Sequence, residues 1–525
     1  MSDKKEIKEI DVASLDSELA AARTLEEGKG DKFIMMASVV AFLMTSFHIY
    51  TGFFGLFDYS VQRGVHLGFA LTLILLTQPL YKHVFKDKFA GSKAFRAACR
   101  TFDMILVVLT WVSVWMAQDE VHHLTERLSK TTWMATFAGA CLVIIVLECA
   151  RRTLGYIMPV LALIFIAYAL AGPNLPMAIA HRGYSLERIC KFLATDLDGL
   201  FGTTMSVSAT VIFMFVMFGA FLEATGVANF FIDCANALVG WASGGPAKVA
   251  VVSSALCGMV SGSSVGNTVT TGSVTIPMMK KTGYPPEFAG AVEAASSTGG
   301  QIMPPIMGAA AFIMAEMTGY EYSDIIVRAI LPAFLYFLGI FLGVHFKAKK
   351  LGLVGLKREE LPKWKILLPK IYLLLPLIIL TWMVIAGQTM AKSAIYGTIV
   401  AIVVGIINKD DRMTPTKFVN GLENGGKNCL SIGIACGIAG IISVCITMTG
   451  LGGKLITYVV KLSNGHLFIA LFLTMICCII LGMGVPTTAN YIIMASTCAP
   501  ILINGMGMHI LAANMFVFYF GIVAD

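Results

Sequence analysis

Ser261-Gly262-Ser263-Ser264-Val265-Gly266-Asn267 and Gly482-Met483-Gly484-Val485-Pro486-Thr487-Thr488-Ala489-Asn490 interrupt two otherwise apolar stretches, one in each half of the long C-terminal part of the chain. A segment crossing lipid must satisfy its own backbone, so runs of Gly, Ser, Pro and Asn at membrane depth survive only where they line a protein-enclosed or hydrated cavity. Freed carbonyls and helix ends can bind ions there. Paired interruptions at matching places in two halves point to the midplane site of a secondary transporter built from repeats.

Composition agrees with a membrane class. Of the 525 residues, 57% are hydrophobic and 14% charged, and the mean hydropathy is +0.78, far from the soluble average. The formal net charge of +7 sits in loops that the positive-inside rule assigns to the cytoplasm. No basic stretch interleaves with aromatics, which argues against a nucleic-acid partner. The 12 cysteines are scattered without metal-ligand spacing, so they read as free thiols and no transition metal is expected.

Outward from the two interruptions, the chain divides as follows. Residues 1–30 are charged and without an apolar core, and are expected to form a cytoplasmic tail. Residues 31–153 carry four apolar spans, Phe33 to Phe57, Gly64 to Tyr81, Phe102 to Gln118 and Trp133 to Cys149, and read as a four-helix scaffold. Lys82, Lys86, Lys88, Lys93, Arg96 and Arg100 follow the second span and Arg151 and Arg152 the fourth, whereas a more acidic loop with Asp119, Glu120 and Glu126 follows the third. That asymmetry places the N-terminus inside. Residues 154–346 form a first repeat, with a short amphipathic piece Phe230 to Trp241, a re-entrant hairpin at about 247–281 opening to the cytoplasm, and a helix broken at Ser296 to Gly300 and again at Pro304-Pro305. A basic cytoplasmic linker, 347–370, leads to a second, inverted repeat over 371–525, whose hairpin at about 466–504 opens outside by parity. Pairing Pro277 with Pro500 gives an offset of 500 − 277 = 223. On that offset the second repeat is expected to be C-terminally incomplete at Asp525, which leaves the activity of the chain open.

The fold expected is therefore an all-α polytopic membrane protein, an inverted-repeat transporter with two re-entrant helical hairpins. Its chemistry lies in the tips. Each half-helix at a break leaves carbonyls or amides unpaired, carrying roughly half an elementary charge. Ser261, Gly262, Ser263, Ser264, Asn267, Thr298, Gly299, Gly300, Gly482, Gly484, Thr487 and Thr488 are the candidate cation-binding residues. Asn267, Thr271, Pro486 and Asn490 are the candidate substrate contacts, with the substrate lying between the tips. The competing reading makes the small residues mere permission for close helix packing. Glu293, an acid in an apolar segment, is a candidate for proton or cation coupling; the alternative is an interfacial carboxyl paired with Lys280 or Lys281. His48 and His66, near Asp58 and Arg63, read as packing or docking residues.

Gly421-Leu422-Glu423-Asn424-Gly425-Gly426-Lys427 matches the GxxxxGK of a phosphate loop. Asn428 stands where Ser or Thr would hold magnesium, however, and no strand precedes it. It reads instead as the interfacial start of the next helix, with Lys427 reaching toward water. No catalytic constellation stands out, so the chain is not read as an enzyme, and no cofactor beyond a coupling Na+ or H+ is expected.

Gly244-Gly245-Pro246-Ala247-Lys248, Ser261-Gly262-Ser263-Ser264, Thr275-Ile276-Pro277-Met278-Met279-Lys280-Lys281 and the run Ala291 to Gly308 resemble the large membrane subunit of tripartite ATP-independent periplasmic (TRAP) transporters. The four leading spans resemble the small membrane subunit fused in front, as in the subgroup served by TAXI-type binding proteins. The resemblance implies an elevator-type, ion-driven importer in the bacterial inner membrane. Its cargo would be an organic anion, usually a carboxylate, handed over by an extracytoplasmic binding protein of TAXI type. The alternative kept beside it is a Na+/carboxylate elevator symporter that needs no binding protein.

Overall fold

The computed structural model describes residues 32–84, 92–124, 126, 130, 132–177, 179–196, 198–357, 359, 361–483 and 485–523. The charged segment 1–30 and Gly484 lie outside the described residues, as do Lys86 and Lys88. Among the described residues every regular element is helical, and ten helices are long and apolar enough to cross a membrane. Long apolar runs give helices because lipid offers the backbone no hydrogen bonds of its own. Their starts are set by caps that are readable in the sequence: Thr132 accepts from Met134 N at 3.1 Å, Ser185 from Arg188 N at 3.3 Å and Thr414 from Lys417 N at 3.2 Å.

Four long helices come first: α1 (Lys32–Phe54), α2 (Tyr59–Thr77), α3 (Lys93–His122) and α4 (Trp133–Thr153). Asp119 and Glu120, expected in a loop, belong to α3 instead. The reason is that Glu120 is fully buried and accepts from the backbone N of Thr132 at 3.2 Å, so it is drawn in to tie α3 to the start of α4. At the other end of this unit Arg152, almost fully buried, pairs with Asp103 at 2.8 Å and Glu148 at 2.8 Å, and donates to Gln78 O at 2.9 Å. The buried guanidinium thereby joins α2, α3 and α4 and is paired with two carboxylates, as a buried charge requires, although its Nη2 has no hydrogen-bond partner among the described residues.

The chain continues through α5 (Ile157–Ala171), the amphipathic α6 (Leu186–Thr195), α7 (Thr203–Glu223), the short α8 (Val227–Val239), then α9 (Gly245–Ser261), α10 (Ser264–Lys281), α11 (Pro286–Gly299), α12 (Ala309–Thr318) and α13 (Tyr322–Leu351). After the linker, whose expected ends 347–351 and 364–370 are helical instead because the flanking helices continue into them, come α14 (Trp364–Ile385), α15 (Met390–Ile407), α16 (Pro415–Asn428), α17 (Leu430–Thr449), α18 (Leu451–Leu462), α19 (Leu467–Gly482), α20 (Thr487–Thr497) and α21 (Ile510–Ile522). Residues Ser296 to Gly299, expected to break the helix, are helical, and the interruption falls after them, before α12. Thr298 donates its hydroxyl to Ala294 O at 3.0 Å, an intrahelical bond compatible with an unbroken turn.

Helices α8 to α11 and α18 to α21 repeat. The first residues of α10 and α20 differ by 487 − 264 = 223, the separation of Pro277 and Pro500, and the other three pairs start within a residue or two of it. Burial separates centre from rim. The apolar window of the continuous stretch Pro415–Thr449 is 83% buried and that of α13 only 22%. The first is thus the middle of the molecule, packed against α2, α4, α5 and α20. The second turns Val327, Ile330, Leu331, Phe334 and Leu335 outward, as a lipid-facing helix does.

Candidate ion and substrate site

The first break is built by glycine. Helix α9 stops because Gly262 adopts a φ of 57°, and a Cβ there would lie 2.2 Å from the carbonyl oxygen of Met307. No residue with a side chain fits that turn without strain. Ser263 then restarts the chain as α10, its Oγ accepting from Gly266 N at 3.2 Å. One turn back, Gly258 and Gly300 touch so closely that a Cβ on the former would sit 2.2 Å from the Cα of the latter. That contact brings the interruption after α11 directly behind the first tip. In the second break α19 ends at Gly482, and Pro486 precedes the first turn of α20.

One asparagine follows each break at the same spacing, and both are held alike. Asn267 is 1% exposed, and its Nδ2 donates to Ser254 O at 2.9 Å. Asn490 is also 1% exposed, and its Nδ2 donates to Gly521 O at 2.9 Å. In both, Oδ1 is buried and has no hydrogen-bond partner among the described residues. A buried carbonyl oxygen left so costs about 1–3 kcal/mol, and an oxygen-seeking cation is one group that can satisfy it.

Both tips border one cavity of about 870 Å³. Of the residues singled out from sequence, Ser261, Gly262, Ser263, Ser264, Asn267, Pro486, Thr487 and Thr488 line it. Thr298, Gly299, Gly300, Gly482, Thr271, Asn490 and Glu293 do not border it. Gly299 packs on the rings of Tyr336 and Phe337, and Thr271 is fully buried and turned to Glu293. The far wall is supplied by α7 (Phe215, Val216, Gly219), α12 (Phe312) and the junction of α16 and α17 (Lys427, Asn428, Ser431), while Gln78, Thr153, Leu154 and Glu223 also contribute. Lys427 bonds Glu423, which in turn accepts from Ser38 Oγ of α1 at 2.6 Å.

Glu293 is fully buried, and its carboxylate meets four hydroxyls. Oε1 faces Ser254 at 3.1 Å, Ser297 at 3.2 Å and Thr271, and Oε2 faces Thr275. Lys280 and Lys281 are exposed, and hydroxyls rather than these lysines hold the acid. Each threonine hydroxyl also lies beside a helix carbonyl, Asn267 O at 2.8 Å for Thr271 and Thr271 O at 3.0 Å for Thr275. A hydroxyl has one proton to give. With those protons on the carboxylate, an anionic Glu293 is fully solvated; with them on the carbonyls, a proton on Oε2 can be donated to Thr275. The pocket satisfies the acid in both states. The sequence signal for the threonines was their spacing of four, which puts both on one face of α10; Ser254 and Ser297, from two other helices, carried none.

Residues Gly421 to Lys427 are entirely helical within α16, not a loop. Their glycines are packing sites: a Cβ on Gly421 would meet the Phe221 ring at 2.9 Å and one on Gly426 the Ala41 carbonyl at 3.0 Å, so α16 lies tight between α7 and α1. Lys427 reaches the cavity at the end of that helix.

Fold and cavity together define a polytopic, all-helical membrane protein with an internal chamber between two helix breaks. The chain belongs to the family of the DctM component of tripartite ATP-independent periplasmic transporters, which matches residues 141–525. It is similar to the C4-dicarboxylate TRAP transporter large permease protein DctM of Pseudomonas aeruginosa, 29% identical over 211 residues, 39% of this chain and 49% of that one. The protein of the same name in Vibrio cholerae is 26% identical over 200 residues, 38% and 42% of the two chains. The 2,3-diketo-L-gulonate TRAP transporter large permease protein YiaN of Escherichia coli is 28% identical over 178 residues, 33% and 41%. The match to each thus spans about half the length of these curated relatives or less. All three are named as permeases.

Proposed function

We propose that this chain is the membrane permease of a secondary importer in the bacterial inner membrane. It takes up an organic anion, a carboxylate, delivered by an extracytoplasmic binding protein of TAXI type, and is driven by a Na+ or H+ gradient through an elevator movement of the two hairpins. The observation that carries this reading is the pair of buried, unpartnered Oδ1 atoms of Asn267 and Asn490, each placed just after a helix break at one 223-residue spacing. Such oxygens suit a desolvated cation. The amide-bearing helix starts at Ser264 and Thr487 suit an anion in the shared cavity. Glu293, a buried acid held by four hydroxyls, supports proton coupling beside it. The cavity is bordered by Gln78, Thr153 and Leu154, next to Arg100, Arg151 and Arg152, which the positive-inside rule assigns to the cytoplasmic face, and this supports a reading of the structure as a cytoplasm-facing form.

The test is uptake of labelled C4-dicarboxylates and other small carboxylates into proteoliposomes, with the cognate binding protein added and Na+ and pH gradients imposed separately. Accumulation is expected only with a gradient and only with the binding protein. Asn267→Ala and Asn490→Ala should raise the half-saturating concentration of the coupling cation at least tenfold. Uptake without the binding protein would transfer the assignment to the receptor-independent symporter, and unaltered ion dependence in both variants would remove the two asparagines from the site.

A further inference from the structure

Helix α7, which supplies the cavity wall with Phe215, Val216 and Gly219, is not α-helical throughout: Ser208–Ile212 forms a π-turn. Such a turn holds one extra residue, leaves carbonyls short of partners and re-aims everything beyond it by roughly 100° relative to a regular helix. It persists where neighbours hold it. Beside Cys429 and Cys436, which approach Ser208, the neighbours that hold it include residues of α1 and α2, which precede the region matched by the transporter family. Gln62 Nε2 donates to Ala209 O at 3.2 Å and reaches Thr51 Oγ1 at 3.3 Å. His66 Nε2 lies 2.9 Å from Ser208 Oγ, His66 Nδ1 lies 2.8 Å from His48 Nε2, and His48 Nδ1 lies 2.7 Å from Met44 O.

The direction of this chain follows from its end. A carbonyl only accepts, so His48 carries a proton on Nδ1; with both buried rings neutral, it accepts on Nε2 from His66 Nδ1–H, and His66 Nε2 accepts from the Ser208 hydroxyl. His48, His66 and Ser208 are completely buried. The His48 ring also stacks on Phe213, the first residue past the turn, at 3.9 Å between centroids.

We propose that Gln62 and His66 are positioning residues for transport: by holding the π-turn of α7 they fix which face of that helix lines the cavity. The inference rests on the transport reading for its consequence, but not for its test. Val216→Cys, in a Cys477→Ser background, is treated with a charged, membrane-impermeant methanethiosulfonate, and labelling at that site is followed by mass spectrometry. Gln62→Leu and His66→Phe are expected to slow labelling at least fivefold while the melting temperature stays within a few degrees of the parent. His66→Gln, whose amide can accept from Ser208 and donate to His48, should return the rate to within about twofold. Unchanged labelling in Gln62→Leu and His66→Phe overturns the proposal. If either fails to fold, deletion of Ala209, which removes the extra residue, decides instead: slowed labelling supports the role of the turn and an unchanged rate refutes it. A parent protein that transports no carboxylate would sink the transport reading while leaving the labelling result intact.

Discussion

Glu293 shows most directly how a single residue can be read twice. Its sequence position marks it as an acid in an apolar segment, which is costly unless it is partnered or functional. The structure supplies the partners as hydroxyls from three helices, α9, α10 and α11. Only Thr271 among these was singled out from sequence, and then as a substrate contact. Hydroxyls without a common local pattern cannot be found before the helices are assembled. Because Thr271 and Thr275 have helix carbonyls to fall back on, Glu293→Gln should leave the fold in place, with a melting temperature within a few degrees of the parent. A glutamine amide cannot carry the proton, so uptake driven by a pH gradient should fall at least tenfold. Retention of pH-driven uptake in this variant would exclude Glu293 as the proton carrier. Asn267 and Asn490 were more legible: a lone amide just after a glycine-rich break is visible in the chain. What the sequence could not show is that each would spend Nδ2 on a neighbouring carbonyl and leave Oδ1 bare.

At the scale of the element, legibility followed backbone chemistry. The limbs α9, α10, α19 and α20 fall within a few residues of expectation because their ends are marked by Gly262, Ser263, Gly482 and Pro486, residues whose effect on the chain is local. The extra length of α3 was hidden because Asp119 and Glu120 look like loop residues until Thr132 is seen to draw Glu120 inward. The glycines of α16 mislead in the opposite way, imitating a phosphate loop while serving close packing against α7 and α1. Gly262 gives the sharpest consequence. At a φ of 57°, with Met307 O 2.2 Å from where a Cβ would stand, Gly262→Ala carries roughly 1–2 kcal/mol of left-handed strain together with a clash against backbone. We expect a lower melting temperature in detergent and weaker uptake, since the tip must shift to admit the methyl group. Gly290, which has open space at its Cβ position, is the control: Gly290→Ala removes a flexible residue from a helix and should not destabilise. Equal melting temperatures for the two variants would show that the first tip is not a rigid turn.

For the molecule as a whole, the decisive relation is that residues 223 apart arrive at one place. Topological parity sends the two hairpins in from opposite sides, while the sequence reading has one substrate lying between their tips. The geometry puts Ser261 and Thr487 on the wall of the same cavity, whose border includes the ends of α2 and α4. If the tips form one chamber, solvent should reach both from the same face at any moment. Ser261→Cys and Thr487→Cys, each in a Cys477→Ser background, should therefore react with an impermeant thiol reagent from the face carrying Arg100, Arg151 and Arg152, and react poorly from the other. Conditions that turn the chamber round, such as an imposed ion gradient with binding protein and substrate present, should move both labelling patterns together. Simultaneous labelling of one tip from each side would mean two separate vestibules. The repeat would then be a folding relic rather than the frame of a shared site, because no single rigid movement could expose an ion and its cargo to one compartment at a time.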